Sequence, residues 1–298
     1  MSNKRPFDLR VADFLLRRLK LYKDKRNNAI AIAKWNHLFA GKDYFLHQPA
    51  GGPAMRLYKD SILSKYIYNG FEQAELTFVQ KVLKPGDTFF DIGSNMGFFA
   101  LYAAQITGAN GKVYAFEPTP VIYKRLTENI SENNFSNVQA ENIGLSDAKG
   151  FLKLFIAEAG KDGWNSFAKE KEGQQSIEVP VNTLDHYVES NNVDTAKIRF
   201  IKIDVEGWEI PVVRGALKTI NAHDDIILMM EFTESNSKAA GYNIGDLYDI
   251  IEQQGFKWYV FDEAQNKLLH DPKRNSYPYN NLFAVKNIDK VNAALTHS

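Results

Sequence analysis

FFDIGSNMGFFALYAA, residues 89–104, passes from an apolar run that ends in an acid, Asp91, through a turn carrying Gly93 and Gly97, to an apolar, alanine-containing run of helical character. Strand, acid, glycine turn and helix in that order form the opening βα unit of a nucleotide-type Rossmann-like sheet. The spacing is D-x-G-x-x-x-G. The dinucleotide fingerprint needs three glycines, and Asp91 and Met96 stand where two of them belong. An acid at a strand end repels phosphate and accepts hydrogen bonds from an amine. S-adenosylmethionine carries an ammonium and a sulfonium and no phosphate, so the loop reads as a site for that donor rather than for NAD. The bland alternative is a structural turn with no ligand.

Working outward, short apolar runs alternate with helical patterns, which predicts a mainly parallel sheet. Lys112 to Phe116 is expected as the second strand, closed by Glu117-Pro118, with a helix from about Val121 to Asn133. Val138 to Ile143 is the third. Phe151 to Ala157 and Ser176 to Val181 break the alternation and suggest a β-ribbon insertion. Ile198 to Ile203 and Ile226 to Phe232 follow as strands, separated by one helix from about Ile210 to Ile220. A helix (Ile244 to Gln254) and two final strands (Lys257 to Phe261, Asn281 to Val285) complete the set.

Composition bounds the rest. The chain has 298 residues, 36 basic and 36 acidic side chains and no cysteine. Zero net charge argues against bulk nucleic-acid binding, and the lack of cysteine removes disulfides, thiolate metal sites and cysteine nucleophiles. The start, MSNKRPFDLR, has no apolar segment of the secretory type, so the default location is the cytoplasm. The charge is uneven: residues 1–34 hold ten basic and three acidic residues, +7 against −7 for the remainder. Val11, Leu15, Leu19 and Tyr22 fall at helical spacing there. This predicts a basic amphipathic helix that packs on the protein, joins a second copy or touches a membrane surface. Residues 1–50 are expected as a helical extension, 51–288 as the main domain and 289–298 as a tail, with Gly41 to Pro53 a boundary loop.

Ligands in such sheets bind beyond the carboxyl ends of the strands. The cofactor candidates are therefore Asp91, Gly93, Ser94, Asn95 and Gly97 after the first strand, Glu117 and Pro118 after the second, and Asn142 and Ile143 after the third. A carboxylate at Glu117 suits the paired hydroxyls of a ribose. After the fourth strand, Asp204, Glu206 and Glu209 crowd one turn, and Glu231 ends the fifth. Such density suits deprotonation of an acceptor hydroxyl or an oxygen-liganded divalent metal, Mg²⁺ or Mn²⁺, with Glu209 alone also readable as a helix-start acid. Asp204, Glu206 and Glu231 are the candidates for both roles. Trp164, Asn165, Ser166 and Trp208 are the acceptor candidates, because aromatic faces and amides suit a sugar. His186 is a competing base.

With these pieces in hand, the chain resembles the FkbM family of methyltransferases. The resemblance rests on Gly70-Phe71-Glu72 with Glu75, KPGDTFFDIGSNMGFF, VYAFEPTP, the segment Leu145 to Asp147, NTLDHYV and FIKIDVEGWEIPVVRGA, spread over about Leu57 to Val285. It implies a class I methyltransferase fold: a seven-stranded, mostly parallel α/β sheet with helices on both faces and its last strand antiparallel. It also implies S-adenosylmethionine-dependent O-methylation of a sugar, glycan or glycoconjugate hydroxyl. Methylation of a non-sugar metabolite, or a non-catalytic partner module, are the alternatives. It adds Glu72 as a residue reaching the cofactor and sets Asp204 between cofactor and acceptor. Residues 1–50 extend beyond the family core.

Overall fold

The structure is a computed structural model that describes residues 32–158, 160–168 and 172–296. The expected basic helix at Val11 to Tyr22 lies outside the described residues.

Thirteen strands are described: β1 (Tyr44–His47), β2 (Met55–Tyr58), β3 (Thr88–Ile92), β4 (Lys112–Phe116), β5 (Val138–Glu141), β6 (Gly144–Leu145), β7 (Gly150–Phe155), β8 (Ser176–Asn182), β9 (Ile198–Ile203), β10 (Ile227–Phe232), β11 (Lys257–Asp262), β12 (Lys267–His270) and β13 (Asn280–Val285). Eight of them form one mixed sheet in the order β12-β11-β13-β10-β9-β3-β4-β5. The strands from β10 to β5 run parallel, and β13 runs antiparallel between β10 and β11. Seven strands were expected. The eighth, β12, is the return arm of a hairpin with β11, and its sequence, KLLH, is too short to stand out as a strand.

Strands β3 and β10 are buried at every position, as parallel strands covered on both faces must be. Side chains alternate between two cores. Phe89, Phe200, Ile227, Met229 and Phe283 enter one. Phe90, Ile92, Ile201, Ile203, Leu228 and Met230 enter the other. A one-residue slip would exchange the two faces.

Several boundaries differ from expectation. The loop Gly41 to Pro53 contains β1, which pairs antiparallel with β2. This ribbon is tied to the helix Pro120–Glu132, where Asn129 and Asn133 accept the backbone N–H groups of Arg56 and Ala54 at 2.7 and 2.8 Å. The single helix expected from Ile210 is two, Glu209–Arg214 and Leu217–Ile220. The tail from 289 lies within a helix, Ile288–Thr296, that buries Val291 and Leu295.

β3 is the point where chain order reverses, with β4 on one side and β9 on the other. A crevice opens at the carboxyl ends of strands at such a point.

Candidate functional site

A cavity of about 650 Å³ occupies that crevice. Its floor is made by strand ends. Asp91 is 1% exposed. Its Oδ2 accepts the N–H of Ala100 at 3.0 Å, in the first turn of the helix Phe98–Thr107, and its Oδ1 lies 3.6 Å from Lys202 Nζ. Glu117, after β4, accepts the N–H of Thr119 on Oε1 and that of Asn95 on Oε2, at 2.8 and 3.1 Å. The loop between is pinned to the sheet: Gly93 and Ser94 donate to the Phe116 carbonyl, and Ser94 Oγ donates to the Asp91 carbonyl.

Gly93 has φ +79°, and a Cβ there would lie 1.8 Å from the Asp204 carbonyl oxygen. Only glycine lets the two strand ends approach this closely. Asp204 donates its own N–H to the Ile92 carbonyl, so the first loop and the acidic turn after β9 are built against each other.

Among the described residues the cavity is lined by seven carboxyl side chains (Glu72, Asp91, Glu117, Asp162, Asp204, Glu206 and Glu231) and one ammonium, Lys202. Burial depresses the Lys202 ammonium, but the carboxylates of Asp204, Asp91 and Glu72 outweigh it and raise its pKa above the usual lysine value. Burial pushes Glu117 up to about 7. Glu72 is pushed up to about 7 by burial and then by Asp204. Burial, then neighbouring carboxylates, hold Glu206 and Glu231 well above the usual carboxylate range. A ligand that brought positive charge into the cavity would favour the ionised forms of these carboxyls.

Glu72 comes from above. It has φ +42° at the start of the helix Gln73–Val82, and its Oε1 accepts hydrogen bonds from Tyr279 Oη and Asn281 Nδ2 at 2.8 and 2.9 Å. This joins the segment before β3 to the start of β13, which lies between β10 and β11 in the sheet. The other rim is Asp162-Gly163-Trp164-Asn165. Asp162 is fixed by the Ile62 N–H, and its carbonyl accepts from Asn95 Nδ2.

Most candidates meet in this cavity: Glu72, Asp91, Gly93, Ser94, Asn95, Glu117, Pro118, Ile143, Trp164, Asn165, Asp204, Glu206 and Glu231 all line it. Four do not. Gly97 is turned away; its φ of +96° starts the helix, and a Cβ would meet Leu126 at 2.7 Å. Asn142 spends its amide on the carbonyls of Glu117 and Pro118, bracing that turn from behind. Ser166 donates to the Glu206 carbonyl. Trp208 donates to Ser146 Oγ and packs on Phe167 and Tyr242. Glu209 accepts the N–H groups of Val205 and Gly207 and serves the helix start. His186 is exposed on the helix Leu184–Ser190.

The cavity residues that sequence reasoning missed include Tyr66, Asp162 and Lys202, whereas Tyr279 was readable only as an ambiguous acceptor contact. Of these only Lys202 carried a signal: a lysine in the apolar second half of β9, two residues before Asp204.

The methyltransferase FkbM domain family matches residues 91–258, more than half of the chain, and the chain belongs to it. It is 30% identical over 153 residues to hexuronic acid methyltransferase AglP of Haloferax volcanii, covering 50% of this chain and 59% of that protein. With methyltransferase 1 of Beauveria bassiana it shares 28% identity over 192 residues, 58% of this chain and 73% of the relative. Methyltransferase FkbM from Methylobacillus flagellatus KT overlaps it with a TM-score of 0.42 at 15% identity, over 74% of this chain and 54% of that one. S-adenosylmethionine is the expected cofactor of a methyltransferase domain.

Proposed function

We propose that the protein moves a methyl group from S-adenosylmethionine to a hydroxyl of a sugar, glycan or glycoconjugate. The observation that carries this reading is the split of the cavity's acids into two sets. Asp91 and Glu117 stand at the ends of adjacent strands beside a helix start, and Asp204, Glu206 and Glu231 stand one and two strands further on.

The first set fits the donor. Each Glu117 oxygen takes one backbone N–H and keeps lone-pair capacity for a ribose hydroxyl. Asp91 and the acid excess favour a ligand bearing ammonium and sulfonium charge. Glu72, Gly93, Ser94, Asn95, Pro118 and Ile143 are assigned to the same side. When bound, S-adenosylmethionine supplies an electrophilic methyl carbon and leaves as the neutral thioether.

The second set is assigned to the acceptor. An alcohol oxygen becomes a competent nucleophile only as its proton leaves. Asp204, Glu206 and Glu231 are the groups within the cavity suited to receive it. The rest of the enzyme's task is alignment. Trp164 and Asn165 offer an aromatic face and an amide at the rim, the pairing that suits a sugar ring. The name of the Haloferax relative, a hexuronic acid methyltransferase, supports a saccharide acceptor.

Among the described residues no helix is long and apolar enough to cross a membrane. We place action on a soluble or membrane-surface saccharide within this reading, in the cytoplasm, with residues 1–34 as the segment that contacts a membrane or a second copy.

Incubation with radiolabelled S-adenosylmethionine and a panel of uronic acids, neutral glycans and non-sugar alcohols tests the acceptor class. Label transfer to saccharides supports it. Transfer confined to non-sugar alcohols contradicts it.

A further inference from the structure

The carboxylates of Asp204, Glu206 and Glu231 share an arrangement that a proton-accepting role alone does not require. Each is steered by one donor on one oxygen. Lys202 Nζ lies 3.0 Å from Asp204 Oδ2. Asn236 Nδ2 donates to Glu206 Oε2 at 2.7 Å. Thr233 Oγ1 donates to Glu231 Oε1 at 3.0 Å. One oxygen from each residue lies within 4.8 Å of one from each of the others.

The cluster is also unfinished. Glu231 is 6% exposed, lines the cavity and has no hydrogen-bond partner on Oε2. An unpaired carboxylate oxygen that deep is costly unless something meets it. Glu206 reaches the cluster from a backbone with φ +53°, a conformation that a residue with a side chain adopts at a cost. Among the described residues the single ammonium lining the cavity, Lys202, is already shared between Asp204 and Asp91.

We propose that Asp204, Glu206 and Glu231 form a divalent-cation site of the Mg²⁺ or Mn²⁺ class on the acceptor side of the cavity. Three hard carboxylate oxygens with no cysteine or histidine beside them favour these ions over zinc. An octahedral ion with oxygens at about 2.1 Å sets neighbouring ligand atoms about 3 Å apart, so the three side chains, whose oxygens lie within 4.8 Å of one another, would draw together around it. Asn236 and Thr233 are then the outer partners that orient the ligands. The ion would supply a fixed positive charge against an acceptor hydroxyl oxygen. That role rests on the methyl-transfer reading; the site itself does not.

The test is titration of the full chain with Mn²⁺, read by the loss of free-ion signal in electron paramagnetic resonance, without donor or acceptor. One Mn²⁺ per chain, displaced by Mg²⁺, is expected. Affinity falls about tenfold or more in Glu231→Gln and about tenfold in Asn236→Ala, which removes an outer partner of Glu206 and no ligand. Far-ultraviolet circular dichroism on each variant controls for folding, and Thr233→Val repeats the outer-partner test if Asn236→Ala unfolds. No saturable binding up to about 1 mM, the weak end for oxygen-liganded cations, overturns the proposal. So does equal affinity in the wild type and Glu231→Gln. S-adenosylhomocysteine titrated into the same samples separates the two readings: its failure to bind sinks the donor site and leaves the cation site standing.

Discussion

The α-carbon of Gly93 faces the carbonyl of Asp204 so closely that a methyl group between them would sit 1.8 Å from the oxygen. The loop after β3 and the acidic turn after β9 are therefore packed directly against each other, although 111 residues separate Gly93 and Asp204 in the chain.

Gly93→Ala should break that packing. The added methyl must displace backbone, and φ +79° is itself unfavourable for alanine. A loss of about 2 kcal/mol or more is expected, measured by urea denaturation, together with weakened S-adenosylhomocysteine binding. Unchanged stability would contradict the close approach.

The two carboxylate sets should separate in binding. Asp91→Asn and Glu117→Gln should each weaken S-adenosylhomocysteine by about tenfold, the worth of roughly one charge-assisted hydrogen bond. Asp204→Asn should leave that affinity nearly intact and lower turnover. Calorimetry on the three variants checks this, and equal losses in all three would remove the acceptor-side role of Asp204.

Stability should fall as pH rises. Burial holds the Glu117 carboxyl at about 7 in the folded chain against an ordinary 4.5, and burial moves Glu72 and Glu209 the same way. The folded protein keeps protons that the unfolded chain has lost. The stability this contributes is fully present below about pH 4.5, and it is lost as pH passes through about 7. For Glu117 alone the difference is on the order of 3 kcal/mol. Chemical denaturation of the unliganded protein across that window should show the decline, and Glu117→Gln should flatten it. A stability that climbs with pH would contradict the buried, uncompensated carboxyls.

Asp185→Ala should damage stability and spare binding. In NTLDHYV, Asp185 accepts the N–H groups of Lys218 and Thr219 and the Thr219 hydroxyl, which caps the helix Leu217–Ile220. Losing such a cap costs about 1–2 kcal/mol. Thermal melting should record it, with S-adenosylhomocysteine affinity unchanged. A specific loss of affinity would give this motif a place in the site that its contacts do not.

These results also mark what was legible in the sequence. Asp91, Glu117, Asp204 and Glu231 could be read because each ends or follows an apolar run, and a strand end in a parallel sheet is where ligands bind. Gly97, Asn142, Ser166 and Trp208 were misplaced for the converse reason. They neighbour site residues in sequence, but their side chains turn to hold the loops: Trp208 toward Ser146, Asn142 toward the Glu117 carbonyl. At the upper rim the family resemblance pointed to Glu72, but its partner could not be read. Glu72 and Tyr279 meet across 207 positions of chain, and no local pattern encodes such a pairing. The eighth strand escaped because four residues closing a hairpin carry too little periodicity to register.

In the proposed reading this cavity takes S-adenosylmethionine rather than a dinucleotide. Calorimetric titration of the full chain with S-adenosylhomocysteine, and separately with NAD, tests it most directly. One saturable site per chain for S-adenosylhomocysteine and no heat with NAD are expected. Saturable NAD binding with none for S-adenosylhomocysteine would contradict it.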